Sequence, residues 1–325
     1  MTDFKERPLG VIPSPQDVRD YSITTITPVR VEFPREFVCQ YLPDIYDQNG
    51  YGMCVAFSAA AVKEAQEFKE QGRKVRYSPA FIYGNRSEAD YQGEGMIPRE
   101  ALRALYRYGV VEHEKLPGLG QYPDCRDMVK NMSYNVFSTG VEQKINTYMR
   151  LNNSNEVKTA LMDLGPVLLT IAVYDSFYNV SKTGIVYPVK DGESIQGYHA
   201  MTAVGWKNIN GKDHYIVHNS WGTGFGDNGK CYIPIDYKGL NELWSVTDYI
   251  RPTVTKEINM GVPMQILPPG RTVLPFRAIY EALGANVEWG RLPNGKIWAK
   301  ATVPANKVPV VVYTEQGNPI MKVTS

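Results

Sequence analysis

Gln48, Cys54, His199 and Asn219 are the residues of this chain whose types and order suit nucleophilic chemistry. A thiol attacks an acyl carbon only as its thiolate. A neighbouring imidazole can take the proton, and a neutral amide can orient that imidazole without adding negative charge. The oxyanion that develops needs hydrogen-bond donors, which a cysteine N–H at a helix start and a glutamine amide can supply. The pattern therefore points to acyl chemistry through a thioester. Cys54 would be the nucleophile, His199 the base, Asn219 its orienter and Gln48 an oxyanion donor.

The elements that would position these groups are legible. CVAFSAAAVKEAQEFKEQ, from Cys54 to Gln71, repeats apolar residues at helical spacing and stops at Gly72, so Cys54 stands at a helix N-terminus. There the helix dipole favours a thiolate and lowers the thiol pKa. Further helices are expected after Tyr77-Ser78-Pro79, over Arg99–Tyr108 and over 155–164. Residues 118–152 read as turns with some strand. From Val167 the pattern changes to strand, at 167–173, 199–206, 215–219 and 230–235. Helices before residue 165 and strands after it predict an α+β fold with two lobes.

Composition bounds the rest. The 325 residues are 43% apolar and 21% charged, with a formal net charge of +1. A packed core is expected, and nothing favours nucleic-acid or anionic-membrane partners. No apolar run approaches a membrane span. The four cysteines, Cys39, Cys54, Cys125 and Cys231, form no C-x-x-C pair. With one a nucleophile, the others read as reduced and buried, which favours a reducing compartment. Residues 1–32 are proline-punctuated and read as an extended arm, either a strap over the surface, the plainer reading, or a short pro-segment lying in the cleft. No signal peptide is visible, so a cytoplasmic or leaderless protein, including a phage-associated one, is expected.

On these motifs the chain resembles the papain family of cysteine peptidases over about residues 33–250. Gln48 to Cys54 reads QNGYGMC, Tyr198-His199-Ala200 runs on to Trp206, and Asn219-Ser220-Trp221-Gly222 continues as a glycine loop to Gly229. Gly165-Pro166-Val167 and Gly184-Ile185 also fit. The resemblance implies a papain-like fold, with a helical lobe and a β-barrel-like lobe, and cleavage of peptides or proteins without a cofactor or metal. It implies that Trp221 shields the Asn219–His199 contact. It implies a cleft walled by Gly95, Ile97 and Pro98 opposite Gly197, Tyr198 and Ala200, with an apolar pocket lined by Ile97 and Ala200. Departures are Val55 where the family usually has Trp, Tyr51 where it has a disulfide cysteine, and the lack of a long propeptide.

Residues 251–325 resemble a different family, the copper amine oxidase N-terminal-like, or stalk, domain of Gram-positive surface proteins. The carriers are Gly270-Arg271-Thr272, Leu274 to Ala278, Glu281 to Ala285 and Val287-Glu288-Trp289. A small α+β domain is expected, with a helix over 275–283 and a spacer or binding role toward a cell-wall or surface ligand. It contains no His or Cys to hold copper.

Other signals carry less. Gly224 to Gly229 satisfies G-x-G-x-x-G but leads into a strand, so no dinucleotide site is expected. His214 and His218 lack a third metal ligand, and His113 reads as surface. Two alternatives to a peptidase are a non-cutting binding protein of the same fold and an acyl transferase or transpeptidase acting on cell-wall or amine acceptors.

Overall fold

The computed structural model describes residues 4–87, 93–180 and 183–247 in full, and seven strands between 256 and 324 as backbone. The chain divides into two compact units, Met1–Tyr249 and Ile250–Ser325.

In the first unit a short strand β1 (Tyr21–Ser22) and a second, β2 (Phe37–Val38), precede the helix α1 (Cys54–Gln71). Residues Cys54 to Glu67 of α1 are all buried, because this alanine-rich helix is packed on every side. Gly72 ends it at φ 65°, a left-handed cap that glycine adopts without a Cβ clash. No side chain caps its start, so the first N–H groups remain available beside Cys54. Around it lie α2 (Pro79–Gly84), α3 (Pro98–Tyr108), α4 (Tyr122–Lys130) and α5 (Tyr134–Val141).

Residues 118–152 therefore differ from expectation. They form α4 and α5 and only one short strand, β3 (Thr147–Arg150). Their helices bury little: only Tyr122 and Cys125 of α4 and Gly140 of α5 are inside, so the apolar spacing that marks a helix is faint. α5 is capped by the Ser133 hydroxyl, which accepts from the Val136 N–H, whereas Gln121 at the start of α4 makes no side-chain cap.

After α6 (Ser154–Asp163) come β4 (Val167–Tyr174), β5 (Ile195–Ile209), β6 (Lys212–His218), β7 (Lys230–Pro234) and β8 (Leu240–Thr247). They join one sheet in the order β1-β3-β8-β4-β5-β6-β7, with β2 added along β5. Every residue of β4 is buried, as its unbroken apolar run predicts. β8 was not visible in the sequence, because its polar and apolar residues alternate less regularly.

Two large cores result. One joins α1–α4 to the sheet face carrying Leu168, Ala200, Trp244 and Val246. The other lies on the opposite side of the sheet around Trp206, Trp221, Phe177 and Met201. This is the expected α+β arrangement of a helical lobe against a strand-rich lobe. All four cysteines are free and buried.

The second unit contains strands at Lys256–Ile258, Gln265–Leu267, Arg271–Val273, Asn286–Arg291, Ile297–Thr302, Val308–Tyr313 and Pro319–Thr324. Adjacent strands pair antiparallel, with Trp289 opposite Ala299. The helix expected over 275–283 lies outside the described residues.

Candidate active site

α1 brings Cys54 to the base of the cleft between the two lobes, fully buried. β5 carries His199, also fully buried, and its ring Nε2 lies 2.7 Å from Asn219 Oδ1. Asn219 follows β6 directly, and its backbone N–H donates to the Gly229 carbonyl at 2.9 Å. The glycine run after it is a set of turns: Gly222, Gly226 and Gly229 have φ of 74°, 53° and 85°. A Cβ at Gly226 would meet the Lys230 carbonyl oxygen at 2.2 Å.

Gln48 is held to the same loop from the far end of the chain. Its N–H donates to the Ser220 carbonyl at 2.8 Å, and its side-chain Oε1 accepts from the Ser220 hydroxyl at 2.6 Å. The neighbouring Gly222 N–H donates to the Tyr46 carbonyl. This fragment of ladder sets Gln48 against the loop that carries Asn219, and the backbone of Ala200, next to His199, acts on the Cys54 thiol. Trp221 covers the polar pair, its ring 4.6 Å from the His199 ring, and Phe4 and Tyr178 stack on it.

The N-terminal arm does not simply strap the surface. Residues 7–14 run through the cleft. Arg7 pairs with Asp47, and the Pro8 carbonyl accepts from Gln48 Nε2 at 3.2 Å. The Gly10 carbonyl accepts from the Met96 N–H at 2.8 Å, the Val11 N–H donates to Tyr198 O at 3.2 Å, and the Ile12 N–H donates to Met96 O at 3.1 Å. Val11 thus forms a parallel bridge with Met96. A composition-based reading favoured the strap because prolines report only an extended chain, not what the chain lies on.

Of the expected cleft walls, Gly95, Gly197 and Tyr198 meet this arm. Gly95, at φ 99°, approaches Gly10 so closely that a Cβ would lie 2.8 Å from its carbonyl oxygen. Leu9 packs on Gly197, Ile97 is the N-cap of α3 and Pro98 its first residue, and Ala200 is buried. Sequence reasoning missed Met96, which makes both backbone hydrogen bonds, because backbone recognition leaves no trace in side-chain type. It also missed Glu242, buried beside the arm with Oε1 accepting from the Ser14 N–H at 2.6 Å.

The electrostatics differ from the helix-start expectation. Burial beneath the arm pushes the Cys54 thiol up to about 11, although backbone groups of Ala200, Gly10 and Val55 oppose this. Burial pushes His199 down to about 4 against the contact with Asn219. Desolvation outweighs the helix dipole here, so this arm-covered form holds a neutral thiol and a neutral imidazole. His199 Nδ1 is buried with no hydrogen-bond partner among the described residues.

Comparison with known proteins gives the family and the fold. Residues 31–245 match the family described as papain family cysteine protease. The chain is 29% identical over 209 residues to a cysteine protease of Blomia tropicalis, covering 62% of this chain and 60% of that protein. It is 28% identical over 182 residues to cathepsin S of Bos taurus, covering 56% and 53%. It thus spans about three-fifths or less of the length of these relatives. Xylellain, a cysteine protease from Xylella fastidiosa, shares the fold with a TM-score of 0.65 at 24% identity, over 74% of this chain and 96% of that one. A digestive procathepsin L 3 of Tenebrio molitor superposes with a TM-score of 0.56 at 19% identity, over 75% and 77%. These matches do not support the stalk-domain resemblance of residues 251–325 and do not show a bacterial or phage origin. From residue 31 to residue 245, this chain belongs to the papain family of cysteine proteases.

Proposed function

We propose that the protein is a cysteine endopeptidase whose N-terminal arm keeps it latent. The observation that carries this reading is that His199 Nε2 is committed to Asn219 while its buried Nδ1 has no hydrogen-bond partner among the described residues, and that the backbone of Ala200, the next residue on the strand, acts on the Cys54 thiol. With Nε2 held, Nδ1 is the nitrogen left to take the Cys54 proton. The thiolate then adds to the peptide carbonyl carbon. Gln48 Nε2 exchanges the Pro8 carbonyl for the oxyanion, and the Cys54 backbone N–H supplies the second donor. His199 passes the proton from Nδ1 to the departing amine. Water next attacks the thioester carbon, giving its proton to His199, and the acid product leaves with the thiol restored. Trp221 excludes water from the Asn219–His199 contact.

Gly95, Ile97, Pro98, Tyr198 and Ala200 form the walls along which a peptide replaces the arm. Residues 1–32 act as a short pro-segment, because the groups that would recognise a substrate backbone are satisfied by arm residues 8–12. Residues 251–325 serve as a spacer or surface-binding module, a reading that rests on their sequence pattern. Replacing Cys54 by Ala tests the assignment. Turnover of a fluorogenic peptide should vanish while the thermal midpoint stays nearly unchanged, and a wild-type rate in that variant would exclude the mechanism.

A further inference from the structure

Met96, which meets the arm through its main chain, is held differently on its two sides. On its C-terminal side α3 begins at Pro98. On its N-terminal side Gly93-Glu94-Gly95 forms neither helix nor strand, and its polar groups go to side chains of the helical lobe. Arg86, just past the end of α2, donates from Nη1 to the Gly95 carbonyl and from Nη2 to the Gly93 carbonyl. Tyr83, within α2, accepts the Gly95 N–H on its hydroxyl at 2.7 Å and donates to Glu94 Oε2 at 3.0 Å. Glu94 Oε1 accepts from the N–H of Tyr122, the first residue of α4, at 3.0 Å.

The guanidinium is itself fixed. Arg86 is buried, with its guanidinium 3.5 Å from the centre of the Tyr122 ring and 5.2 Å from that of Tyr83. The helices that carry these rings pack closely, since a Cβ at Gly84 would meet the Cys125 carbonyl oxygen at 2.4 Å. One peptide unit joins this clamp to the cleft. The bond between Gly95 and Met96 is planar, so its C=O and N–H point opposite ways when trans. Arg86 takes the carbonyl end, and the N–H end donates to Gly10 of the arm at 2.8 Å. Fixing the carbonyl fixes the plane and aims the N–H into the cleft. A cationic donor on the carbonyl also polarises the amide and strengthens its N–H as a donor.

With the arm displaced, the Met96 N–H and C=O lose Gly10 and Ile12. Among the described residues the bridge to Val11 is the only one Met96 makes, so no neighbouring strand then holds the loop. We infer that Arg86 is the positioning residue for main-chain recognition in this cleft, holding the Gly95–Met96 peptide so that the Met96 N–H meets a substrate carbonyl in the place of Gly10 O. Tyr83 assists by holding the Gly95 N–H. Arg86 touches neither substrate nor reacting atoms, so its effect falls on binding of the peptide main chain, whatever the side chains. This role rests on the peptidase reading.

The test uses the full chain as Gly10→Ala, alone and combined with Arg86→Met or Tyr83→Phe, on a fluorogenic peptide and on p-nitrophenyl acetate. The acetate ester can acylate Cys54 but has no main chain to reach Met96. The ratio of kcat/KM for peptide over ester cancels the amounts of folded and of arm-open enzyme. Methionine keeps the stem and removes the donors, so Arg86→Met should lower the ratio about tenfold or more, with the peptide KM rising more than its kcat falls. Tyr83→Phe keeps the ring and should lower the ratio about threefold, and it decides alone if Arg86→Met does not fold. Ratios within about twofold of the Gly10→Ala chain in the folded variants would overturn the inference and leave the peptidase standing. If the Gly10→Ala chain itself cleaves no peptide, the peptidase reading fails and the positioning role with it.

Discussion

Gly10 is the point at which arm closure can be broken without touching the catalytic groups. A Cβ added there would lie 2.0 Å from the Gly52 carbonyl oxygen and 2.5 Å from its carbonyl carbon. Gly52 is backbone leading into buried Met53 and Cys54, so it cannot yield cheaply. The arm must therefore lift by about 1 Å or more, enough to disrupt its neighbouring hydrogen bonds. Those are Pro8 O to Gln48, Gly10 O to Met96, Val11 to Tyr198 and Ile12 to Met96. At about 0.5–1.5 kcal/mol each, their loss is worth ~2–6 kcal/mol, or roughly 30- to 20,000-fold in the closing equilibrium. The assay compares wild type and Gly10→Ala in initial peptide-cleavage rate and in the rate of Cys54 alkylation, both taken without preincubation. Both rates should rise in the variant by at least the lower bound, with the thermal midpoint of the catalytic lobes little changed. If Gly10→Ala lowers thermal stability while alkylation and cleavage stay at wild-type rates, the arm is a structural strap and the latency argument is refuted.

Two further outcomes follow from the site. Gln48→Ala in a Gly10→Ala background should lower kcat about 100- to 1,000-fold, as for loss of one oxyanion donor, and a change confined to KM would assign Gln48 to binding alone. Stability should also respond to acid through His218. Burial holds its imidazole near 4 instead of 6.5. Between those values the unfolded chain binds a proton that the folded chain refuses, so this contribution is present above pH 6.5 and is lost as pH falls to 4. At about 1.4 kcal/mol per pH unit the loss is up to ~3 kcal/mol. Denaturant titrations of wild type and His218→Asn should show their stability difference shifting by that much against wild type. Glu64, raised to about 8 by burial, acts in the opposite sense and cancels in the difference. A difference that is flat with pH would contradict the argument.

Much of the site was legible in the sequence because its parts are defined by local chemistry. Helical spacing and Gly72 place Cys54 at a helix start. An unbroken apolar run marks β4 as a buried strand, and His199 and Asn219 sit in or beside strands whose alternation is strong. The short helices α4 and α5 were not legible, since only a few of their residues are buried and the apolar spacing is faint. The ionisation state of Cys54 was misjudged for a related reason. A helix start favours the thiolate locally, but full burial, which depends on parts of the chain far away in sequence, raises the thiol.

The sequence by itself determined the identities and order of the candidate reacting groups, because motif chemistry depends on residue type and short spacing. Only the tertiary structure decided that Gln48 reaches Ser220, that the arm threads the cleft backbone to backbone with Met96, and that Glu242 waits beneath Ser14. Such contacts join residues far apart in the chain through main-chain atoms that every residue possesses, so no pattern of side chains could announce them.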